Sequence, residues 1–131
     1  MAVRGIRGAI TAAENSPAAI VSASERLLSA MIEANRVEAP DIAAVFFTTT
    51  TDLDAEFPAA AARALGWNKV PLLCGHEMGV PGRLGRCIRI LMLVNTDATQ
   101  AAVKHIYLEG ATALRPDLTG EDNPQTAGST F

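Results

Sequence analysis

The stretch from Cys87 to Val94, CIRILMLV, constrains the fold more than any other part of the 131-residue chain. Both of its faces are apolar on a two-residue period except at Arg89, which is the pattern of a strand in the interior of a sheet. A guanidinium group keeps its proton, and burying it without a partner costs several kcal/mol. Arg89 must therefore meet an anion or lie in water at the end of the strand. The sequence leaves two candidate anions open, an internal carboxylate such as Glu77 and an anionic ligand.

A second arginine, Arg7, lies in the predicted strand Val3–Thr11, on the same face as Gly5 and Ala9. These neighbours are very small, so a large group could lie against the sheet beside Arg7. The alternative is that Gly5 and Gly8 mark a bulge or a close chain crossing. Two strand arginines exceed what one internal carboxylate needs, which favours an anionic ligand over an internal ion pair.

The other elements follow from periodicity and from helix start signals. Ser16 and Pro17 begin an amphipathic helix whose apolar stripe runs through Ile20, Leu27 and Met31. After it we expect a strand at Ala43–Thr50, a short helix from Pro58 to Gly66, a short apolar segment at Lys69–Leu73, a glycine-rich stretch at Gly75–Gly85, a strand at Val103–Leu108 and a short helical or irregular piece at Gly110–Leu114. The order β-α-β-α-β-β-β predicts one α+β domain, with a mixed sheet covered by helices on one side.

The composition indicates a globular protein that associates with itself. Hydrophobic residues make up 49% of the chain and charged residues only 19%, against about 25% in a typical domain. This apolar excess predicts a buried subunit interface. The net charge of −3 argues against nucleic acid or an anionic membrane surface as a partner.

Compartment and domain limits follow from simple counts. Two cysteines, Cys74 and Cys87, are too few for a disulfide framework, and no apolar run approaches the length of a membrane span. We therefore expect a cytoplasmic protein with one domain over residues 1–118. Residues 119–131 are polar and rich in helix breakers, and we expect them to form a flexible tail.

The motif CGHEM, from Cys74 to Met78, invites a metal or nucleophile interpretation that its spacing does not support. Cys74 and His76 share a strand face while Glu77 points away, and no second ligand cluster follows. The threonine run from Thr48 is expected to end a strand rather than to carry chemistry. Phosphate-binding loops and nucleophile motifs are absent from the sequence. Fixed cations, one carboxylate, one thiol and a tyrosine suit a reaction that redistributes charge within a bound anion, without metal or cofactor.

Five blocks of the sequence together resemble one known family: RGIRGAIT, FPAAAARALGW, VPLLCGHEM, CIRILMLVNTD and HIYLEGATALRPDL. They are similar to the AroH-class chorismate mutases from about Val3 to Leu118. The resemblance implies a homotrimer described as a pseudo-α/β-barrel, with three active sites in the clefts between subunits. It also implies rearrangement of chorismate to prephenate, in phenylalanine and tyrosine biosynthesis, without metal or cofactor.

The resemblance assigns roles to the residues that are unusual on their own. Arg89 would contact the ether oxygen of the breaking bond and the side-chain carboxylate, which Arg7 and Tyr107 would also hold. Glu77 and Cys74 would bond the ring hydroxyl. Further side chains would line the neighbouring subunit's wall (Phe57, Arg63, Leu72 and Leu73) or close the mouth of the site from the C-terminal segment (Leu114 and Arg115).

Two positions depart from the family pattern, and two other functions fit parts of it. Ala60 occupies a position where a longer polar side chain, often Lys, is expected, and Leu73 one where some members carry Thr. A small trimeric enamine or imine deaminase would also use an inter-subunit arginine against a carboxylate. A non-catalytic trimeric module that binds a small carboxylate would need a binding arginine without the rest of the polar set.

Overall fold

Strands and helices follow one another in the order that the sequence predicts. The structure is a computed structural model and describes residues 1–114, so the expectations for Arg115 and for the tail lie outside the described residues. Its elements are β1 (Ala2–Thr11), α1 (Pro17–Asn35), β2 (Ile42–Thr49), α2 (Ala60–Ala64), β3 (Leu72–His76), β4 (Cys87–Thr96) and β5 (Ile106–Tyr107), with 3₁₀ helices at Ala39–Asp41, Gln100–Ala102 and Glu109–Leu114.

The strands form one mixed sheet in the order β3-β2-β4-β1-β5. β4 lies at its centre and pairs antiparallel with both β1 and β2, while the outer strands β3 and β5 pair parallel with their neighbours. The prediction of an interior strand at CIRILMLV is therefore confirmed. A strand flanked on both sides buries its backbone polar groups in ladders, so its side chains alone decide what each face can bind.

Helix α1 covers one face of the sheet and begins as predicted. The Ser16 side chain accepts a hydrogen bond from the Ala19 amide at 3.2 Å, and Pro17 is the first helical residue. The side chains that α1 buries are Ile20, Ala23, Ser24, Leu27, Leu28 and Met31. All of these except Ser24 belong to the main hydrophobic core, together with alternate residues of β1, β2 and β4. The opposite face of the sheet, which we call the open face, carries Arg7 and Arg89.

The two glycines of β1, Gly5 and Gly8, have different surroundings, and only one of them is required by close packing. A Cβ at Gly8 would come within 2.5 Å of the Met31 Sδ atom, so this glycine lets α1 approach the sheet closely. A Cβ at Gly5 would meet only ordinary contacts, the nearest being Leu91 at 3.5 Å on the open face. The β1–β4 register runs without a shift from Ala2 to Thr11, so the expected alternative of a bulge is wrong. A close crossing explains Gly8, whereas a Cβ at Gly5 would make only ordinary contacts with Leu91 and Leu93.

Strand β3 lies further along the chain than the expected apolar segment at Lys69–Leu73. It pairs with β2 from Val45 opposite Leu72 to Thr49 opposite His76. Glycine weakens a strand, which is why the sequence predicts an end before Gly75. The pairing with β2 continues through Gly75 to His76, so this ladder sets the length of the strand.

Strand β5 is only two residues long, shorter than the predicted Val103–Leu108. Side chains replace the missing ladder at its beginning. Asn35 accepts a hydrogen bond from the Lys104 amide at 2.8 Å and donates one to the Lys104 carbonyl at 2.9 Å. The Arg7 amide donates to the Nδ1 atom of His105 at 2.9 Å instead of to a strand carbonyl. Backbone groups satisfied in this way have no need of a neighbouring strand.

Within residues 1–114, no helix combines the length and the apolar character that crossing a membrane requires.

Candidate active site

Arg89 lies in the middle of the open face, on the central strand. Its register partners are Ala9 on β1 and Thr48 on β2, and its side chain is 12% exposed. The Nε atom of Arg89 lies 2.9 Å from the Oε2 atom of Glu77. The buried arginine predicted from CIRILMLV therefore meets an internal carboxylate, one of the two anions that the sequence leaves open.

Glu77 is held in place immediately after β3. Its amide donates to the Thr49 carbonyl at 2.9 Å, and its Oε2 atom also accepts a hydrogen bond from the Thr48 hydroxyl at 2.9 Å. The Glu77 side chain is 17% exposed. Because a guanidinium group has five N–H donors in a fixed fork, the ion pair at Nε involves one edge of it.

Arg7 and Tyr107 lie on the same face, on the β1 side of Arg89. Arg7 pairs with Leu91, which makes it a diagonal neighbour of Arg89, at roughly 7–8 Å in an antiparallel pair. Tyr107 pairs with Ala9 and is buried. Among the described residues, this face thus brings together two guanidinium groups and the carboxylate of Glu77, in a protein whose net charge is −3. An anion fits such a site.

A small second core supports this side of the site. It consists of Ala9, Cys87, Tyr107 and Ala111, with Leu84 and Leu114 packed against it. Burial raises the pKa of the Cys87 thiol to about 11, so the group is a neutral thiol at physiological pH. Leu114 therefore lies beside Tyr107 and Cys87, at the end of the described chain.

A second group of predicted site residues lies on the other side of β3. Cys74 pairs with Phe47, whose side chain is buried in the main core, and so it points away from the open face. Burial raises the pKa of the Cys74 thiol, an effect that a hydrogen bond with the Ala59 backbone and the charge of Arg63 partly offset. Phe57 is 64% exposed and lines a cavity of about 400 Å³ together with Cys74.

The structure thus divides the predicted site residues into two groups. One lies on or beside the open face: Arg7, Leu73, Glu77, Arg89, Tyr107 and Leu114. The other lies toward the helices: Phe57, Arg63, Leu72 and Cys74. Cys74 and Glu77, predicted to share the ring hydroxyl, point to opposite sides of the sheet edge within one chain.

Sequence reasoning missed Thr48, because the threonine run was expected only to end a strand. Its hydroxyl bonds Glu77, and it pairs with Arg89 across the β2–β4 ladder. The signal was present in the two-residue alternation of β2, which gives Thr48 and Thr49 to opposite faces. Within residues 1–114, no three His, Cys, Asp or Glu side chains come together as metal ligands would.

Comparison with known proteins gives a consistent result. The family model described as chorismate mutase type I matches residues 3–118. A chorismate mutase AroH from Thermus thermophilus is 54% identical over 117 residues, which cover 88% of this chain and 96% of that protein. A chorismate mutase AroH from Bacillus subtilis (strain 168) is 42% identical over 126 residues, covering 95% and 99%.

A solved structure, a chorismate mutase from Clostridium thermocellum, superposes on this chain with a TM-score of 0.83. It is 48% identical in sequence, and the match covers 84% of this chain and 98% of that one. The family matched is the one that the sequence resembles, rather than a deaminase or a carboxylate-binding module. The chain therefore belongs to the type I, AroH-class, chorismate mutases, which are isomerases.

Proposed function

We propose that this chain rearranges chorismate to prephenate in a cleft built by two subunits of a homotrimer, with Arg89 stabilising the transition state. The observation that carries the proposal is the position of Arg89, 12% exposed on the central strand, with Glu77 at 2.9 Å and Arg7 on the adjacent strand. The reaction is intramolecular, so it needs neither a nucleophile nor a cofactor.

Binding follows from charge. Chorismate is a dianion, and an arginine binds a carboxylate through two parallel hydrogen bonds. We assign the side-chain carboxylate of chorismate to Arg7, Arg89 and Tyr107, and the ring hydroxyl to Glu77. Leu114 and Arg115 would close the mouth of the site.

Catalysis of the chemical step depends on the negative charge that develops in the transition state. In the transition state the C–O bond breaks ahead of C–C formation, and negative charge grows on the ether oxygen. A guanidinium fixed beside that oxygen stabilises the transition state more than bound chorismate, which is the condition for raising kcat. An acceleration of about a millionfold requires roughly 8 kcal/mol, which preorganised charge and confinement of the reactive conformer can share.

The ion pair with Glu77 serves this role rather than competing with it. It fixes the orientation of the Arg89 side chain before substrate arrives, and Thr48 fixes Glu77 in turn. A donor that is already oriented does not have to reorganise during the reaction, and this is the origin of the electrostatic advantage.

The assignment to two subunits rests on the division of the site residues. Cys74 faces the opposite side of the sheet from Arg89, and Phe57 and Arg63 lie near Cys74, so we assign these three to the neighbouring subunit's wall. The open face also exposes large apolar side chains, among them Leu73 at 62%. An exposed apolar face of this kind suits burial against another copy. Light scattering should give about three times the chain mass of 13.7 kDa; a monomer at micromolar concentration would contradict the shared site.

We place the enzyme in the cytoplasm on the basis of its two unpaired cysteines.

The decisive experiment compares kcat and melting temperature in variants of Arg89. Purified protein is incubated with chorismate, its absorbance is followed, and the product is identified by NMR. In Arg89→Lys, and in protein carrying citrulline at position 89, we expect kcat to fall by about 10²–10³-fold, the usual cost of removing a preorganised donor. Arg4→Lys is the matched control, because Arg4 lies in the same strand as Arg7 but bonds the Ala98 carbonyl.

The purely structural alternative makes the opposite prediction. If Arg89 serves only to neutralise Glu77, both variants should melt many degrees lower and lose activity only through unfolding. An Arg89→Lys protein that stays folded and keeps the kcat of the unaltered enzyme would refute the proposed mechanism.

A further inference from the structure

The glycine-rich segment that follows Glu77 is fastened to the rest of the chain at its far end by Asp52. The Oδ1 and Oδ2 atoms of Asp52 accept hydrogen bonds from the Arg86 amide at 3.1 and 2.9 Å. The Thr50 hydroxyl donates to Oδ1 of Asp52 and accepts from the Cys87 amide at 3.0 Å. Asp52 and Thr50 therefore hold together the two residues with which the chain enters β4.

The backbone at Gly85 and Arg86 allows the Asp52 carboxylate to approach closely. A Cβ at Gly85 would lie 2.9 Å from Oδ2 of Asp52, so an alanine there would displace the carboxylate from this position. Arg86 has a φ of +46°, a left-handed conformation that residues with a Cβ rarely adopt. Arg86 is bonded on its other sides as well: its carbonyl accepts from the Ala12 amide at 2.8 Å, and its Nη1 donates to the Ala13 carbonyl.

The carboxylate is ionised when it makes these bonds. The pKa of Asp52 is lowered, chiefly by the hydrogen bond from the Thr50 hydroxyl. Partial burial raises this pKa, and the hydrogen bond from the Arg86 amide lowers it further. A charged acceptor makes stronger hydrogen bonds than a neutral one. Asp52 is therefore a strong acceptor at physiological pH, although it is exposed.

The segment that Asp52 fastens has site residues at each end. Glu77 precedes it, and Arg89 follows Arg86 by three residues on β4. Within it, Leu84 packs against the small core that contains Tyr107 and Cys87. Loosening the far end would free the segment to move over the site without breaking the ladders that fix Arg89 itself.

We infer that Asp52 is a positioning residue for the rearrangement: by bonding Arg86 and Thr50 it holds the segment 79–86 in the conformation that encloses the bound substrate. The inference rests on the proposed function, because it concerns the same site. A loosened segment lowers the fraction of enzyme that is ready to bind, which raises KM in proportion and leaves the bound complex to react normally. Asp52 thus acts on KM, whereas Arg89 acts on kcat.

The test removes the contact from both sides. In Asp52→Ala, and independently in Gly85→Ala, we expect KM for chorismate to rise about 5–10-fold with kcat within twofold. Asp52→Asn keeps one acceptor oxygen for the Arg86 amide and should lie between these variants and the unaltered enzyme. Hydrogen exchange followed by mass spectrometry should show faster exchange of the amides of residues 79–87 in the two alanine variants.

A control variant separates positioning from the general effect of removing a charge. Asp97→Ala removes the same charge from an exposed site that pairs only with the terminal amine among the described ion pairs, at 3.4 Å, and should leave KM unchanged.

Several results would overturn the inference. Unchanged KM in both Asp52→Ala and Gly85→Ala would do so, as would a lower melting temperature with KM and kcat intact, since that is the signature of a purely structural contact. If Asp52→Ala does not fold, Gly85→Ala and Asp52→Asn decide the question. If the unaltered protein does not convert chorismate, the proposed function fails. The exchange experiment then still tests Asp52, and unchanged exchange in segment 79–87 refutes it.

Discussion

Replacing Gly8 by alanine should destabilise the protein because the new methyl group enters the contact between β1 and α1. The added Cβ would lie 2.5 Å from the Met31 Sδ atom, 3.1 Å from Leu27 Cδ1 and 3.3 Å from Met31 Cε. Carbon and sulfur atoms do not approach to 2.5 Å, so Met31, the helix or the strand must move. Both side chains are fully buried, which leaves them little room to do so.

The size of the effect follows from two opposing contributions. Forcing an extra methyl group into a packed core costs typically about 1–3 kcal/mol. Replacing glycine by alanine restricts the unfolded chain, which stabilises the folded state by about 0.4–1 kcal/mol. The net loss in the free energy of unfolding should be about 1–2 kcal/mol, equivalent to a fall of several degrees in melting temperature for a domain of this size.

Gly5→Ala is the matched control, because it adds the same methyl group to the same strand on the open face. Its nearest contact within the chain is 3.5 Å, so for the fold of one subunit only the unfolded-state contribution remains, and the stability of that fold should stay level or rise slightly. Urea unfolding of both variants at one protein concentration makes the comparison, since the stability of an oligomer depends on concentration. In a double-mutant cycle, Met31→Ala should cost less when combined with Gly8→Ala than when introduced alone. Equal stabilities of Gly8→Ala and Gly5→Ala would refute the reasoning.

Two further predictions concern Cys87 and Ala60. Burial raises the pKa of Cys87 from 9.0 to about 11, so between these values the unfolded chain loses the thiol proton first, and the free energy of unfolding should fall with rising pH by up to about 3 kcal/mol. Urea unfolding at about pH 8 and about pH 10.5, which span most of this interval, measures the change. The free energy of unfolding should decrease less in Cys87→Ala than in the unaltered protein, and equal decreases in the two proteins would contradict the prediction. Ala60→Lys adds a cation at the start of α2, near Phe57, and should lower KM for the dianion several-fold at low salt with kcat unchanged. Ala101→Lys, which adds the same charge at an exposed residue of another helix, should not alter KM.

The central part of the fold was predictable because local patterns determine it. The apolar pattern of CIRILMLV on both faces requires a flanked strand, and β4 is the centre of the sheet. Ser16 and Pro17 specify the start of α1 through their own chemistry. Arg89 was identifiable for the same reason, since an ionised group inside such a strand requires an anion.

The parts that were not predictable depend on contacts between distant residues. Strand β5 is short because Asn35, 69 residues away, bonds both backbone groups of Lys104. The bond between Asp52 and the Arg86 amide spans 34 residues, and no spacing in the sequence indicates it. The placement of Cys74 opposite Glu77 was available from alternation, but the resemblance alone did not say which subunit each would serve.

The pairing of β1 with β4 has a consequence for how the enzyme is made. Ala2 pairs with Thr96, so the first strand has no partner in the sheet's centre until most of the chain has left the ribosome. At the usual rates of synthesis this interval is on the order of ten seconds. Pairings of such long range close slowly, because the loop entropy is lost before any contact forms. Arg7 and Arg89 become neighbours only when β1 pairs with β4. The active site is therefore not formed in a nascent chain until the sheet is complete.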